Sequence, residues 1–177
     1  MNFVKPKKLL LLIIIPLLSF GQDKVLKDSL FCDGHPDKGS WYYQGKLFTG
    51  VAFQYYENGK KMGEDSYKNG FKHGDRLRWW PNGQLREVEP YIEGEITGIC
   101  REYFHNGNLR SEGKMENGKE VGIHKAFDEN GQLVWERYYY ENIQSRYSQI
   151  RMEKSYNDGK LRWKVCWDED GVEITCE

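Results

Sequence analysis

The residues best able to do chemistry are few and scattered. Cys32, Asp33, His35 and Asp37 place four potential metal ligands within six positions. Structural zinc sites recur as paired Cys or His ligands, and this spacing does not repeat. Cys32-Asp33-Gly34-His35-Pro36-Asp37 is therefore expected to be a solvated loop, and no metal or cofactor is expected. His73, His105 and His124 stand without a repeating partner. Ser is scarce, and no Ser or Cys lies in the strained strand-to-helix elbow that activates a nucleophile. The acids are dispersed through turn and strand positions, where they read as solubilising charge and edge protection. The chain is expected not to be an enzyme.

Aromatic residues carry a stronger pattern. Tyr55, Trp79, Tyr103 and Phe127 recur every 24 residues, as do Tyr43, Tyr67, Tyr91, Met115 and Tyr139. Tyr56, Trp80 and Phe104 follow the first column by one position. Neighbours on a strand point to opposite faces, so both columns are buried only if both faces are covered. Tyr56, Trp80 and Phe104 are the candidate binding surface, able to stack on apolar or planar ligand groups. Cross-strand packing is the other reading, and it is the expected one for the Tyr55 column.

The elements that position these rings are set by glycine. Gly59, Gly83, Gly107 and Gly131 keep the 24-residue step, as do Gly50, Gly74, Gly98 and Gly122. Asn-Gly occurs at 58–59, 69–70, 82–83, 106–107, 117–118 and 130–131. Asn-Gly suits a type I′ turn, whose two central residues need positive φ. The first glycine column is thus structural; it lacks the following helix that a phosphate-binding loop requires. Short runs rich in Tyr, Trp, Phe, Val or Leu lie between the turns and read as strands. The expected fold is all-β, an elongated antiparallel meander of 24-residue β-hairpin repeats. Nine or ten strands at about 4.8 Å each make a sheet on the order of 45 Å long.

The strings Tyr56-Glu57-Asn58-Gly59-Lys60, Tyr67-Lys68-Asn69-Gly70-Phe71-Lys72-His73-Gly74 and Tyr103-Phe104-His105-Asn106-Gly107-Asn108-Leu109 resemble the MORN repeat in its bacterial variant. Proteins with this variant are often grouped as YwqK-family antitoxins of toxin–antitoxin modules. The resemblance covers roughly residues 41–140. It implies a binding role, either as a scaffold or as an inhibitor of a partner toxin.

The first 21 residues form a separate object. Lys5, Lys7 and Lys8 precede an apolar run from Leu9 to Leu18, and Ser19-Phe20-Gly21 then offers small residues at a cleavage site. This is the layout of a secretory signal peptide. The run falls short of the roughly 20 residues needed to span a bilayer, so no transmembrane anchor is expected. Cleavage after Gly21 makes the protein secreted or periplasmic. Residues 22–40 form an irregular lead-in, 41–145 the MORN-like repeats with 41–49 as half a unit, and 146–177 a degenerate capping hairpin.

Removal of the leader takes three lysines from 26 basic residues and none of the 27 acids, leaving a net charge of −4. That balance argues against a nucleic-acid partner. In an oxidising compartment the four cysteines invite pairing. Asp170-Gly171 as a hairpin turn sets Cys166 and Cys176 nearly opposite each other. Cys32 and Cys100 are left either to pair together or to remain as buried thiols. The sequence thus describes an exported, non-catalytic repeat protein that binds a protein or a cell-envelope component; an antitoxin-like inhibitor is the alternative.

Overall fold

The computed structural model describes residues 23–36, 39–141 and 149–176. The leader, residues 1–21, and Asp37 lie outside these. The strands are β1 (Asp23–Leu26), β2 (Phe31–Asp33), β3 (Ser40–Tyr43), β4 (Lys46–Leu47), β5 (Gly50–Tyr55), β6 (Lys61–Lys68), β7 (Phe71–Trp79) and β8 (Leu85–Ile92). They continue as β9 (Glu95–Ile96), β10 (Gly98–Tyr103), β11 (Leu109–Glu116), β12 (Lys119–Phe127), β13 (Leu133–Tyr139), β14 (Ile150–Asn157), β15 (Lys160–Trp167) and β16 (Glu173–Ile174). From β5 onward, successive strands pair antiparallel in one sheet, with β9 as a short extension alongside β8. The all-β meander of hairpin repeats is therefore the fold.

The sheet holds 13 strands rather than nine or ten. One addition is β1, which pairs parallel with β5 and so departs from a pure meander. Another is the short β9, and β14 to β16 form the expected C-terminal cap with one strand more than a simple hairpin. The half unit expected at 41–49 is also different. Ser40–Leu47 instead forms a three-stranded sheet with β2. This small sheet is hooked to the first repeat: Trp41 donates its backbone N–H to the Gly70 carbonyl at 2.8 Å.

Two kinds of turn alternate along the meander. Asn69 and Gly70 have φ of 51° and 83°, and Asn117 and Gly118 have 49° and 76°. Glu93-Gly94 and Asp158-Gly159 repeat the pattern. These are the two-residue turns with both central residues at positive φ. At 58–59, 82–83, 106–107 and 130–131 only the glycine is at positive φ, between 79° and 95°. Here the asparagine works through its side chain. Asn58 Oδ1 accepts the Lys60 N–H at 3.0 Å, and Asn82 and Asn106 do the same for Gln84 and Asn108.

The strand register shifts at these turns, between Gln54 and Tyr55, Arg78 and Trp79, and Glu102 and Tyr103. A glycine at positive φ beside such a shift is a turn closed by a glycine bulge. The type I′ expectation for every Asn-Gly is thus corrected at the Gly59 column. The bulge also ends each strand at Tyr55, Trp79 or Tyr103.

The tyrosine column is the buried one of the two aromatic columns. Tyr67, Tyr91 and Tyr139 are buried, whereas Tyr55 is half exposed. At the first repeat Phe48, Ala52 and Tyr67 form a core against Val25, Leu30, Trp41 and Tyr43. Rings supply this core because the repeat offers few aliphatic side chains.

Candidate binding surface

Tyr56, Trp80 and Phe104 sit one residue beyond the strand ends, at the head of each bulged turn, so strand alternation does not govern where they point. The side chains of Tyr56 and Trp80 reach sideways into the next repeat. Tyr56 Oη donates to the Trp79 carbonyl at 2.6 Å, and Trp80 Nε1 donates to the Tyr103 carbonyl at 3.0 Å. Asn82 and Asn106 extend the pattern by donating to the carbonyls of His105 and Glu129. Each link spans 23 residues, so this edge is a row of clasps between repeats. The Trp80 ring stacks on His105 with centroids 3.8 Å apart, and Arg86 lies over it. Phe104 carries Arg110 over its ring. All three rings are half-buried. For Tyr56 and Trp80 the expected strand-face geometry is replaced by a clasp geometry, while Phe104 sits at the equivalent turn position without that bond to the next repeat.

The opposite edge is tied by backbone. Gly70, Gly94 and Gly118 donate their N–H groups to the carbonyls of Phe48, Lys72 and Ile96. Thr49 and Thr97 hydroxyls accept the N–H groups of Asn69 and Asn117. With both edges fixed, the sheet holds its face residues in regular cross-strand rungs.

One face carries the buried tyrosines, and its rungs are charged. Arg76 lies across from Asp65 on one side and Glu89 on the other. Glu87 stands between Arg78 and Glu102, and Glu102 faces Ser111. In the middle of this face is a trough of about 250 Å³. Glu87, Glu89, Glu102, Glu112 and Glu120 line it together with Ile96, Met115 and Trp135. His124 closes one side. Its ring lies over Gly113, where a Cβ would stand 2.0 Å from Nδ1. Its Nε2 is 2.8 Å from the Lys114 carbonyl oxygen, and Tyr139 meets the ring edge-on.

The trough's electrostatics follow from this crowding. Arg76 Nη1 contacts a Glu89 carboxylate oxygen and lies 3.8 Å from Glu87 Oε1. Tyr91 Oη donates to Glu89 at 3.2 Å. Burial raises the Glu87 carboxyl above its ordinary value, and the neighbouring Glu89 charge adds to the rise. Burial, reinforced by Glu89 and Glu87, pushes the Cys100 thiol up to about 11. The Arg76 guanidinium is raised: burial opposes its charge, but Glu89 and Glu87 outweigh burial. The trough is thus a site of negative potential. Sequence reading missed it because Glu87, Glu102 and His124 share no period. Only the register brings them together.

The first repeat shows the same face filled. Lys27 reaches Asp65 Oδ2 at 2.7 Å, contacts Tyr67 Oη, and holds its ammonium 3.8 Å from the Trp41 ring centroid. Burial lowers the Lys27 ammonium despite the Asp65 charge. Burial would raise Asp65, but Arg78 and Lys27 together hold it below the usual carboxylate range.

The remaining residues singled out by type fall elsewhere. A disulfide joins Cys166 and Cys176, with Cα atoms 5.4 Å apart. The direct partner of Cys166 in the ladder is Ile174, so Cys176 reaches it from two residues further on. Cys32 and Cys100 are both thiols, outside any disulfide. Cys32 lies in β2 near the Gly34 and His35 carbonyls, whereas Cys100 lies in the trough. Among the described residues, no group of three or more His, Cys, Asp or Glu side chains is placed to hold a metal ion. Among them also, no helix is long and apolar enough to cross a membrane.

Residues 48–69, 72–93 and 96–117 each match the family described as the MORN repeat variant. The matched segments begin at Phe48, Lys72 and Ile96, the residues whose carbonyls take the turn-glycine N–H groups. The repeat unit is therefore a segment closed by its own backbone bond. MORN repeats are generally associated with protein or membrane binding. No curated protein is significantly similar to the chain.

Proposed function

We propose that this chain is an exported, non-catalytic binding module that engages one protein partner through the charged face of its sheet. The observation that carries this reading is the non-repeating trough. The scaffold repeats every 24 residues, but the trough's chemistry does not. The positions equivalent to Glu87 are Gly63, Ser111 and Trp135, and those equivalent to Glu89 are Asp65, Gly113 and Arg137. A multivalent envelope scaffold would be served by identical rungs. A single unlike rung suits one partner in one register.

The same observation favours a second reading, an antitoxin-like inhibitor, which also binds one partner tightly. The leader supports action outside the cytoplasm, and the net charge of −4 without it supports neither nucleic acid nor anionic lipid. Affinity capture with the full chain, from cells that produce it, tests these readings. One dominant protein recovered near equal stoichiometry supports the module, and loss of that protein's toxicity on binding selects the inhibitor. Recovery of a spread of envelope glycans and lipids would overturn the one-partner reading. The exported protein should begin at Gln22 by mass spectrometry; a retained N-terminus would overturn export.

A further inference from the structure

We infer that the trough between β8 and β12 receives a lysine or arginine side chain carried on an extended segment of the protein partner. This rests on the binding-module reading and specifies the partner's chemistry.

Charge complementarity is the first argument. Glu87, Glu89 and Glu102 converge on the cavity, and Arg76 reaches the first two. The lining bases already face carboxylates: Arg101 lies 3.4 Å from Glu112, which also lines the trough, and Lys125 lies 3.7 Å from Glu136. Glu102 meets Arg110 at 3.7 Å, but both side chains are half exposed, and such a surface pair holds little energy. The site therefore retains negative charge that a cation would offset. The raised Glu87 carboxyl is consistent with that excess.

The second argument is internal precedent. One repeat earlier, at the positions equivalent to Glu89 and Tyr91, Asp65 and Tyr67 already hold the ammonium of Lys27. That lysine comes from a segment outside the repeats and is sandwiched by Trp41 and Tyr67. The face thus has a demonstrated way of seating a long basic side chain: carboxylate at the head, rings around it. The trough supplies the same parts, with Met115, Ile96 and Trp135 to pack the methylenes.

The probe is a fluorescein-labelled peptide of alternating lysine and serine, followed by anisotropy against the full chain. A peptide of alternating glutamate and serine serves as control. Saturable binding of the lysine peptide alone is expected. The Glu87→Gln, Glu102→Gln pair should weaken it at least tenfold, while Glu64→Gln, on the other face, should leave it unchanged. Met115→Lys, which places the chain's own ammonium in the trough, should abolish binding. Thermal melts establish that each variant is folded. Absence of saturable binding, equal weakening by Glu64→Gln, or undiminished binding by Met115→Lys would overturn the proposal. So would preferential binding to phosphatidylglycerol vesicles. A partner still captured by the Glu87→Gln, Glu102→Gln protein would sink the basic-side-chain proposal while leaving the module reading intact.

Discussion

Trp80 Nε1 donates to the carbonyl oxygen of Tyr103 at 3.0 Å, joining residues 23 positions apart. The bond ties the head of one bulged turn to the strand end of the next repeat. Trp80→Phe keeps a ring against His105 but removes the donor. The expected cost is about 1 kcal/mol, a fall in Tm of roughly 2–4 °C for a chain of this size. Thermal denaturation checks it. Partner binding is expected to be unchanged.

The two turn types respond differently to the same substitution. Gly59 and Gly70 both have positive φ, so alanine strains either by roughly 1 kcal/mol. A Cβ on Gly59 meets nothing within 4 Å, whereas one on Gly70 meets Leu47 at 2.6 Å and the Trp41 carbonyl at 3.2 Å. Gly70→Ala should therefore destabilise more than Gly59→Ala in urea titrations, because it also unseats the N-terminal sheet.

Gly113 and His124 should behave as one unit. Gly113→Ala drives a Cβ into the imidazole, at an expected cost of about 2–3 kcal/mol. Once His124→Ala has removed the ring, the same glycine substitution should cost far less. A double-mutant cycle should give a coupling above about 0.5 kcal/mol. Additive effects would mean that the ring does not rest on Gly113.

Asp65 and Glu87 predict opposite pH dependence. The folded-state value of Asp65 is lowered, so its contribution is present above its unfolded value and fades as pH falls through the folded one. Asp65→Asn should therefore destabilise at neutral pH, with the gap closing in acid. The folded-state value of Glu87 is raised, so its contribution is present below its unfolded value and is lost as pH rises through the folded one. Glu87→Gln should gain on the wild type as pH rises toward neutrality. Urea midpoints between pH 3 and 7 read both trends.

Cys166 and Cys176 close a short loop at the last edge of the sheet. In the chain-entropy picture, reducing a loop of this length costs about 2–3 kcal/mol. Hydrogen exchange should show the loss concentrated in β15 and β16, with the central repeats unaffected.

The repeat was legible because glycine and tyrosine columns record its period directly. Tyr67, Tyr91 and Tyr139 are buried where the 24-residue spacing places them in phase. The role of Trp80 was not legible in the same way. Strict alternation assigns it to a strand face, but the bulge at Arg78/Trp79 ends the strand one residue before it. A glycine at positive φ is visible in sequence, yet Asn-Gly alone does not distinguish a two-residue turn from a bulged one. The trough was hidden more deeply. Glu87 and Glu102 become neighbours only through the β8–β10 pairing, and Lys27 finds Asp65 from outside the repeats.

The most direct test of one-sided, single-partner binding is photo-crosslinking in cells that produce the protein. A photoreactive phenylalanine analogue is placed at Ser111, which lines the trough opposite Glu102, or at Lys114, exposed on the other face. The expected result is one discrete adduct near 1:1 from position 111 and none from position 114. Equal adducts from both positions, or an adduct from position 114 alone, would contradict the assignment of binding to the charged face.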